Sequence, residues 1–301
     1  MKVNPNFIIE SCEDNKIFLS NRKSCKGYYI YLNEEQIACL TEQRIESLTT
    51  IGFYDEAIYK RPHLINKLIS FRYPIKEQIL LSITLWLMAL GLMGTIISIW
   101  CAWPIIREMS ALRIDKQTFI KATMIFIIGI ILIHEMFHVI SARLQNIEVF
   151  SISFKLKYYF IPICYVKIIP TGNDIKRANI AFAGNIADFF LIILYISIFI
   201  TTKNPMWLVV LSLQSTMSLL NYNIFFPTDF YIGLFSILKK PNFRVQSVKF
   251  TKLVLTKKAK LKRKEHLIQL IYGISFYGIL VFFIVMSALN VMLWIMRGGS
   301  E

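Results

Sequence analysis

The polar and apolar positions of this chain fall into two regimes. From about residue 79 onward, long apolar runs recur, at roughly 79–103, 122–142, 178–202, 205–226 and 267–296. Each reaches the ~20 residues that a helix needs to cross about 30 Å of hydrocarbon. Before residue 79 the pattern is mixed and the runs are short. KIFLS and GYYIYL, separated by a turn at Asn21 to Gly27, read as strands. Asn33 then caps a helix beginning EEQIACL, and a second helical pattern runs through IESLTTIGF. Residues 1–70 are therefore expected to form a small α+β, winged-helix-like module, near the lower size limit for folding alone. A third pattern separates the second and third runs. The stretch EVFSISFKLKYYFIPICYVKIIP, residues 148–170, partly alternates and carries Lys155, Lys157 and Lys167. It is too short and too charged to span, and reads as a β-hairpin at the membrane surface or tucked into the bundle.

Composition agrees with the pattern. Of 301 residues, 55% are hydrophobic and 18% charged, with a mean hydropathy of +0.52. Soluble domains run nearer about 45–50% apolar and about 25% charged. These values exclude a disordered chain, a coiled coil and a collagen. They point to a polytopic α-helical membrane protein of about five transmembrane helices.

The net charge of +15 changes this picture little. Lys and Arg gather in cytoplasmic loops of membrane proteins, and no nucleic-acid recognition motif accompanies them, so no nucleic-acid partner is expected. Residues 60–77 carry Lys60, Arg61, Lys67, Arg72 and Lys76, and residues 239–265 carry eleven Lys/Arg against the single acid Glu265. Five spans with a cytoplasmic N-terminus put both segments inside and leave the mildly basic 104–121 loop outside. The expected setting is a cell membrane, crossed several times, with the lipid bilayer as a partner. No signal peptide is expected, because the first long apolar run begins so late. The five cysteines, odd in number and without C-x-x-C spacing, suggest neither a disulfide framework nor a cysteine zinc site. Three regions follow: the 1–70 module, a 79–235 core, and a basic loop with a final span over 236–301.

The core holds the chemistry. HEMFH in the second run places His134 and His138 at i and i+4, one turn apart on one helix face. Both imidazoles can then reach a single metal, with Glu135 beside a metal-bound water. Ionisable groups at bilayer depth cost about 2.5–3.5 kcal/mol each on insertion scales, so three together call for a function. The competing reading is a buried His–Glu cluster that joins helices. Zinc wants a third protein ligand. Among the later acids, Asp229 is favoured, because spans two and four run the same way and bring the HEMFH motif and Asp229 into one leaflet. Asp188 is more readily a hydrogen-bonded packing residue of span three, and Glu265 a partner for nearby Lys and Arg.

HEMFH in a membrane helix, a hairpin, AFAGNIADFF, then NIFFPTDFY at a helix end resembles the site-2 protease family of intramembrane zinc metallopeptidases. The closer likeness is to its bacterial peptide zinc metalloprotease branch, which carries Asn-Pro, four residues, then Asp-Gly-Tyr. Asn223, Asp229 and Tyr231 occupy matching positions, with Ile224 for the proline and Phe230 for the glycine; Asn185 stands where a proline is usual. The resemblance covers about residues 80–235. It implies a zinc-dependent endopeptidase with His134, His138 and Asp229 on Zn2+, Glu135 as general base and Asn223 holding the oxyanion or substrate. The substrate would be a peptide or small membrane protein, cut in the maturation of a secreted or modified peptide. A peptide exporter is implied as a neighbour, since that branch is found beside export genes. The N-terminal module resembles, in size and pattern, small domains that bind leader peptides. The alternative is a non-proteolytic zinc- or peptide-binding membrane protein that assists export or immunity.

Overall fold

The computed structural model describes residues 3–11, 16–32, 36, 45–60, 63–71, 74–109, 114–157, 161–258 and 263–298. The chain forms two compact units: residues 1–223 with 228–237, and residues 224–227 with 238–301.

The first unit begins with an antiparallel meander of β1 (Phe7–Ser11), β2 (Lys16–Asn21) and β3 (Lys26–Tyr31), in the order β1–β2–β3. β2 and β3 are the two strands that the alternation predicts. β1 is an addition, since the preceding Asn-Pro-Asn stretch hides its short pattern. Ile17 and Leu19 of β2 pack with Phe7, Ile30, Leu32, Leu48, Phe53 and Tyr54 into a small core. The helix expected from EEQIACL lies, apart from Gln36, outside the described residues. The helical pattern of IESLTTIGF yields a single turn, α1 (Glu46–Thr49). Gly52, at φ +74°, then turns the chain, a conformation that glycine adopts without strain. A second single turn, α2 (Ile65–Leu68), leads toward the apolar helices.

Those helices are α3 (Glu77–Met109), α4 (Lys116–Gly129) continued by a π turn over Ile130–His134 into α5 (Glu135–Leu144), α6 (Asp174–Thr202), α7 (Met206–Asn221) and α8 (Asp229–Ile237). Between α5 and α6 runs the antiparallel hairpin of β4 (Val149–Lys157) and β5 (Ile161–Ile168), with a bulge between Val149 and Ser151. Caps set the ends. Asp115 accepts from the Thr118 N–H at the start of α4, and Asn173 accepts from the Ile175 and Lys176 N–H groups at the start of α6, satisfying donors that a helix N-terminus leaves open. Lys203, in the left-handed region at φ 51°, closes α6.

Among the described residues, four helices are long and apolar enough to cross a membrane: Glu77–Glu108, Lys116–Leu144, Asp174–Thr202 and Lys264–Met286. The run expected to span at 205–226 is instead the 16-residue α7, shorter than the ~20 residues a crossing needs. Pro227 lacks an N–H and disfavours helix in the residue before it. The backbone therefore turns at 224–227, and a fresh helix, α8, starts at Asp229.

α6 is the hub of the first unit. It packs against α3, the π turn with α5, α7 and α8. Small residues make this possible. At Gly129 a Cβ would collide with the Tyr195 hydroxyl, and at Gly233 it would stand 2.6 Å from the Phe182 ring. In the second unit, α9 (Phe243–Leu255) packs on α10 (Lys264–Gly298), with Ser247 and Thr251 buried where Gly273 leaves room.

Candidate metal centre

The site grows out of one irregularity in an otherwise regular helix. Over Ile130–His134 the helix widens to a π turn, and the Glu135 N–H bonds back to the Ile130 carbonyl. Such bulges are common where a side chain must be re-aimed. His134 ends the π turn and Glu135 opens α5, so the motif straddles the change in helical phase.

Both imidazoles are held from behind. The Nδ1 of His134 lies 2.9 Å from Asp188 Oδ1, and the Nδ1 of His138 lies 2.7 Å from the Ile180 carbonyl oxygen. With each Nδ1 donating to an oxygen, each Nε2 presents a lone pair forward, as a metal ligand must. The two Nε2 atoms converge. They lie 3.4 Å apart, and at 3.1 Å (His134) and 3.3 Å (His138) from Asp229 Oδ2. His134, His138 and Asp229 thus form a group that could hold a metal ion.

Asp188 is not a fourth member of that group but the brace behind His134. Its side chain is 3% exposed, and it also accepts from Gln214 Nε2 at 2.9 Å and from Asn221 Nδ2 at 3.3 Å. A carboxylate buried so deeply needs such partners. Asp229 is steadied in turn by Asn221, whose Oδ1 accepts from the Asp229 N–H at 3.0 Å and whose Nδ2 lies 3.4 Å from Asp229 Oδ2. Asn221 therefore links the two carboxylates from the last turn of α7.

Gly184 lines the same space. A Cβ there would stand 2.6 Å from Asp229 Oδ2 and 2.8 Å from the His134 ring. Only a residue without a side chain lets α6 pass so close to the converging ligands. Glu135 reaches the other way. Its Oε2 accepts from the Val166 N–H of β5 at 3.1 Å, which ties the hairpin to the metal-site helix.

The structure brings His134, His138 and Asp229 together, with Glu135 on the adjoining turn. Asn223 holds the turn through its backbone, its N–H donating to the Leu220 carbonyl and its own carbonyl accepting from the Thr228 hydroxyl. The asparagine whose amide bridges the site carboxylates is Asn221, which sequence reasoning passed over. Gln214, Gly184 and the Ile180 carbonyl were also missed; a polar residue inside an apolar run was the one signal for Gln214. Glu265 pairs with Lys240 at 3.2 Å, the partnership its basic surroundings suggest. Compared with protein-family models, curated proteins and solved structures, the chain finds no match.

Proposed function

We propose that this chain is a membrane-embedded zinc endopeptidase of site-2 protease type that cuts a peptide or small membrane protein. It would cross a cell membrane several times with its N-terminus on the cytoplasmic side. The observation that carries the reading is the convergence of His134 Nε2, His138 Nε2 and Asp229 Oδ2, with Glu135 next in the chain to one ligand.

The residues fit zinc in kind and spacing. A tetrahedron with bonds of about 2.0–2.1 Å has edges of about 3.3–3.4 Å, and the three donors lie 3.1, 3.3 and 3.4 Å apart. Three protein ligands leave a fourth position for water or substrate, the pattern of catalytic rather than structural zinc. Asp229, 26% exposed at its side chain, leaves the cluster open on one side.

Zinc, when bound, supplies the Lewis acid that activates a water and polarises the scissile carbonyl. Glu135 takes the proton of the attacking water and returns it to the leaving amine. Asp188 and the Ile180 carbonyl keep both imidazoles in the tautomer that ligates. Asn221 holds Asp229 at its distance. The outward edge of β5 reaches Glu135 through Val166, so an extended substrate added along that edge would lie beside the base. If proline or charge placed on the hairpin edges leaves cleavage unchanged, strand addition is wrong.

The test has two parts in detergent-purified protein. Wild type should carry about one zinc per chain, and Asp229→Ala should lose it. Wild type should cleave casein, a generic unstructured substrate, while Glu135→Gln keeps its zinc and loses about 10²–10⁴-fold in rate. A folded wild type that takes up no supplied zinc would overturn the reading in favour of a non-proteolytic peptide-binding protein that assists export.

A further inference from the structure

The N-terminal module grips both legs of the hairpin at its base. On the β4 leg, Asn66 Oδ1 accepts from the Val149 N–H at 2.8 Å, and Asn66 Nδ2 donates to the Val149 carbonyl at 2.8 Å. One side-chain amide thus serves both backbone groups of a single strand residue, as a neighbouring strand would. On the β5 leg, the Cys25 thiol donates to the Ile168 carbonyl. Val149 and Ile168 are register partners, so their outward-facing backbone groups are both engaged by the module.

Val149 is also where the hairpin register shifts. The bulge adds Phe150 between Val149↔Ile168 and Ser151↔Lys167, and the Lys60 ammonium sits 3.7 Å from the centroid of the Phe150 ring. Just before it, Arg22 forms a two-pronged ion pair with Glu148, which raises the Arg22 pKa through the hydrogen bond to the carboxylate. Just after Ile168, Glu10 accepts from the Thr171 hydroxyl and the Gly172 N–H. A slip of one residue in a strand turns every backbone donor to the other edge. In this register the N–H of Val166, two residues before Ile168, points outward and meets Glu135 at 3.1 Å.

Asn66 is 8% exposed and is tied to the metal-site helix as well, since Arg143 of α5 donates to the Asn66 carbonyl at 3.3 Å and to the Ile69 carbonyl at 2.8 Å. Helix, module and bulge are therefore fixed to one another at this residue.

We propose that Asn66 is a positioning residue for Glu135: by pairing with Val149 at the bulge it sets the hairpin register that lays the Val166 N–H on the Glu135 carboxylate. The base then keeps one oxygen anchored and the other available. This assignment rests on the proteolytic reading for its consequence, since it makes a segment outside the membrane helices responsible for aiming the general base. The contact itself exists whether or not the chain is a peptidase.

Amide hydrogen exchange across residues 161–168 in the purified full-length protein tests it. Glu135→Ala and Asn66→Ala should each raise exchange there about tenfold. The double variant should rise no further, because one and the same hydrogen bond is lost. Exchange within α6 reports that the variant remains folded. Lys60→Ala, a surface change at the same bulge, should raise exchange over 161–168 about threefold and serves if Asn66→Ala does not fold. The proposal is overturned if Asn66→Ala loosens only the stretch around Val149, or if its effect multiplies with that of Glu135→Ala to about a hundredfold. It is equally overturned if Asn66→Ala does not fold and Lys60→Ala leaves 161–168 unchanged. The readout needs neither substrate nor metal, so failure here is distinct from failure of the casein assay.

Discussion

α3 and α6 are equally apolar and are used in opposite ways. Each has a mean hydropathy of 2.1 over its most apolar stretch, yet 17% of that stretch is buried in α3 and 67% in α6. α3 leaves Trp86, Leu90, Met93, Ile96 and Trp100 exposed, whereas α6 encloses Asn179, Asn185 and Asp188. Apolarity thus reports that a helix avoids water, and says nothing of whether lipid or protein replaces it. The distinguishing residues are the small and the polar ones. Ala178, Ala181, Ala183, Gly184 and Ala187 let neighbours approach the α6 backbone, and Asp188 and the Asn179 amide nitrogen are met by groups from other segments of the chain.

The contrast can be broken most severely at Gly184. Gly184→Ala should abolish metal binding, read as zinc per chain, because the new methyl would occupy the space between Asp229 and His134. Next comes the brace: Asp188→Ala should weaken metal affinity about 10–100-fold without eliminating it, as loss of a histidine's supporting carboxylate does, and metal titration would show it. A smaller effect is expected where α3 meets α6. Gly91 has the Phe189 Cβ 2.7 Å from where its own would be, so Gly91→Ala should cost about 1–3 kcal/mol of overpacking, seen as a lower Tm in detergent. The smallest lies on the outer face of α3. Trp100→Ala, at a residue 77% exposed, should change stability by no more than about 0.5 kcal/mol. A large loss there would mean that a partner covers α3.

Much of the site was legible because its core is local. HEMFH needs only helical periodicity to bring two imidazoles together, and the helix is there, with a π turn that periodicity does not reveal. Asp229 is 91 positions from His138 and was favoured from its place at the end of an apolar run, which proves to be the short helix α7 rather than a span. The supporting residues were less readable. Asp188 was recognised as buried and hydrogen-bonded, but its partner is a ring nitrogen 54 residues away. Asn221 ends α7, and its contacts with Asp188 and Asp229 depend on where that helix stops. The hairpin was legible from its alternation. The bulge at Phe150 was not, because two-versus-one pairing depends on the opposite strand.

The span pattern shows the same division. Length and apolarity located all five runs, but α7 stops at Asn221, because Pro227 and the turn before it end the helix. The C-terminal unit is similar: basic residues and an apolar run were evident, and the packing of α9 on α10 through Gly273 was not.

By itself, the order of residues determined that the chain is built of membrane-length apolar helices, that one of them bears a pair of histidines one turn apart with a glutamate between, and that a hairpin interrupts the series. These depend on periodicity and composition, which act over a few residues. Only the tertiary structure decided which helix is enclosed, that Asp188 lies behind the His134 ring, and that Asn66 and Glu135 hold the same hairpin. Those outcomes depend on which surfaces meet, and satisfying a buried polar group in an apolar interior requires a partner that can lie anywhere in the chain.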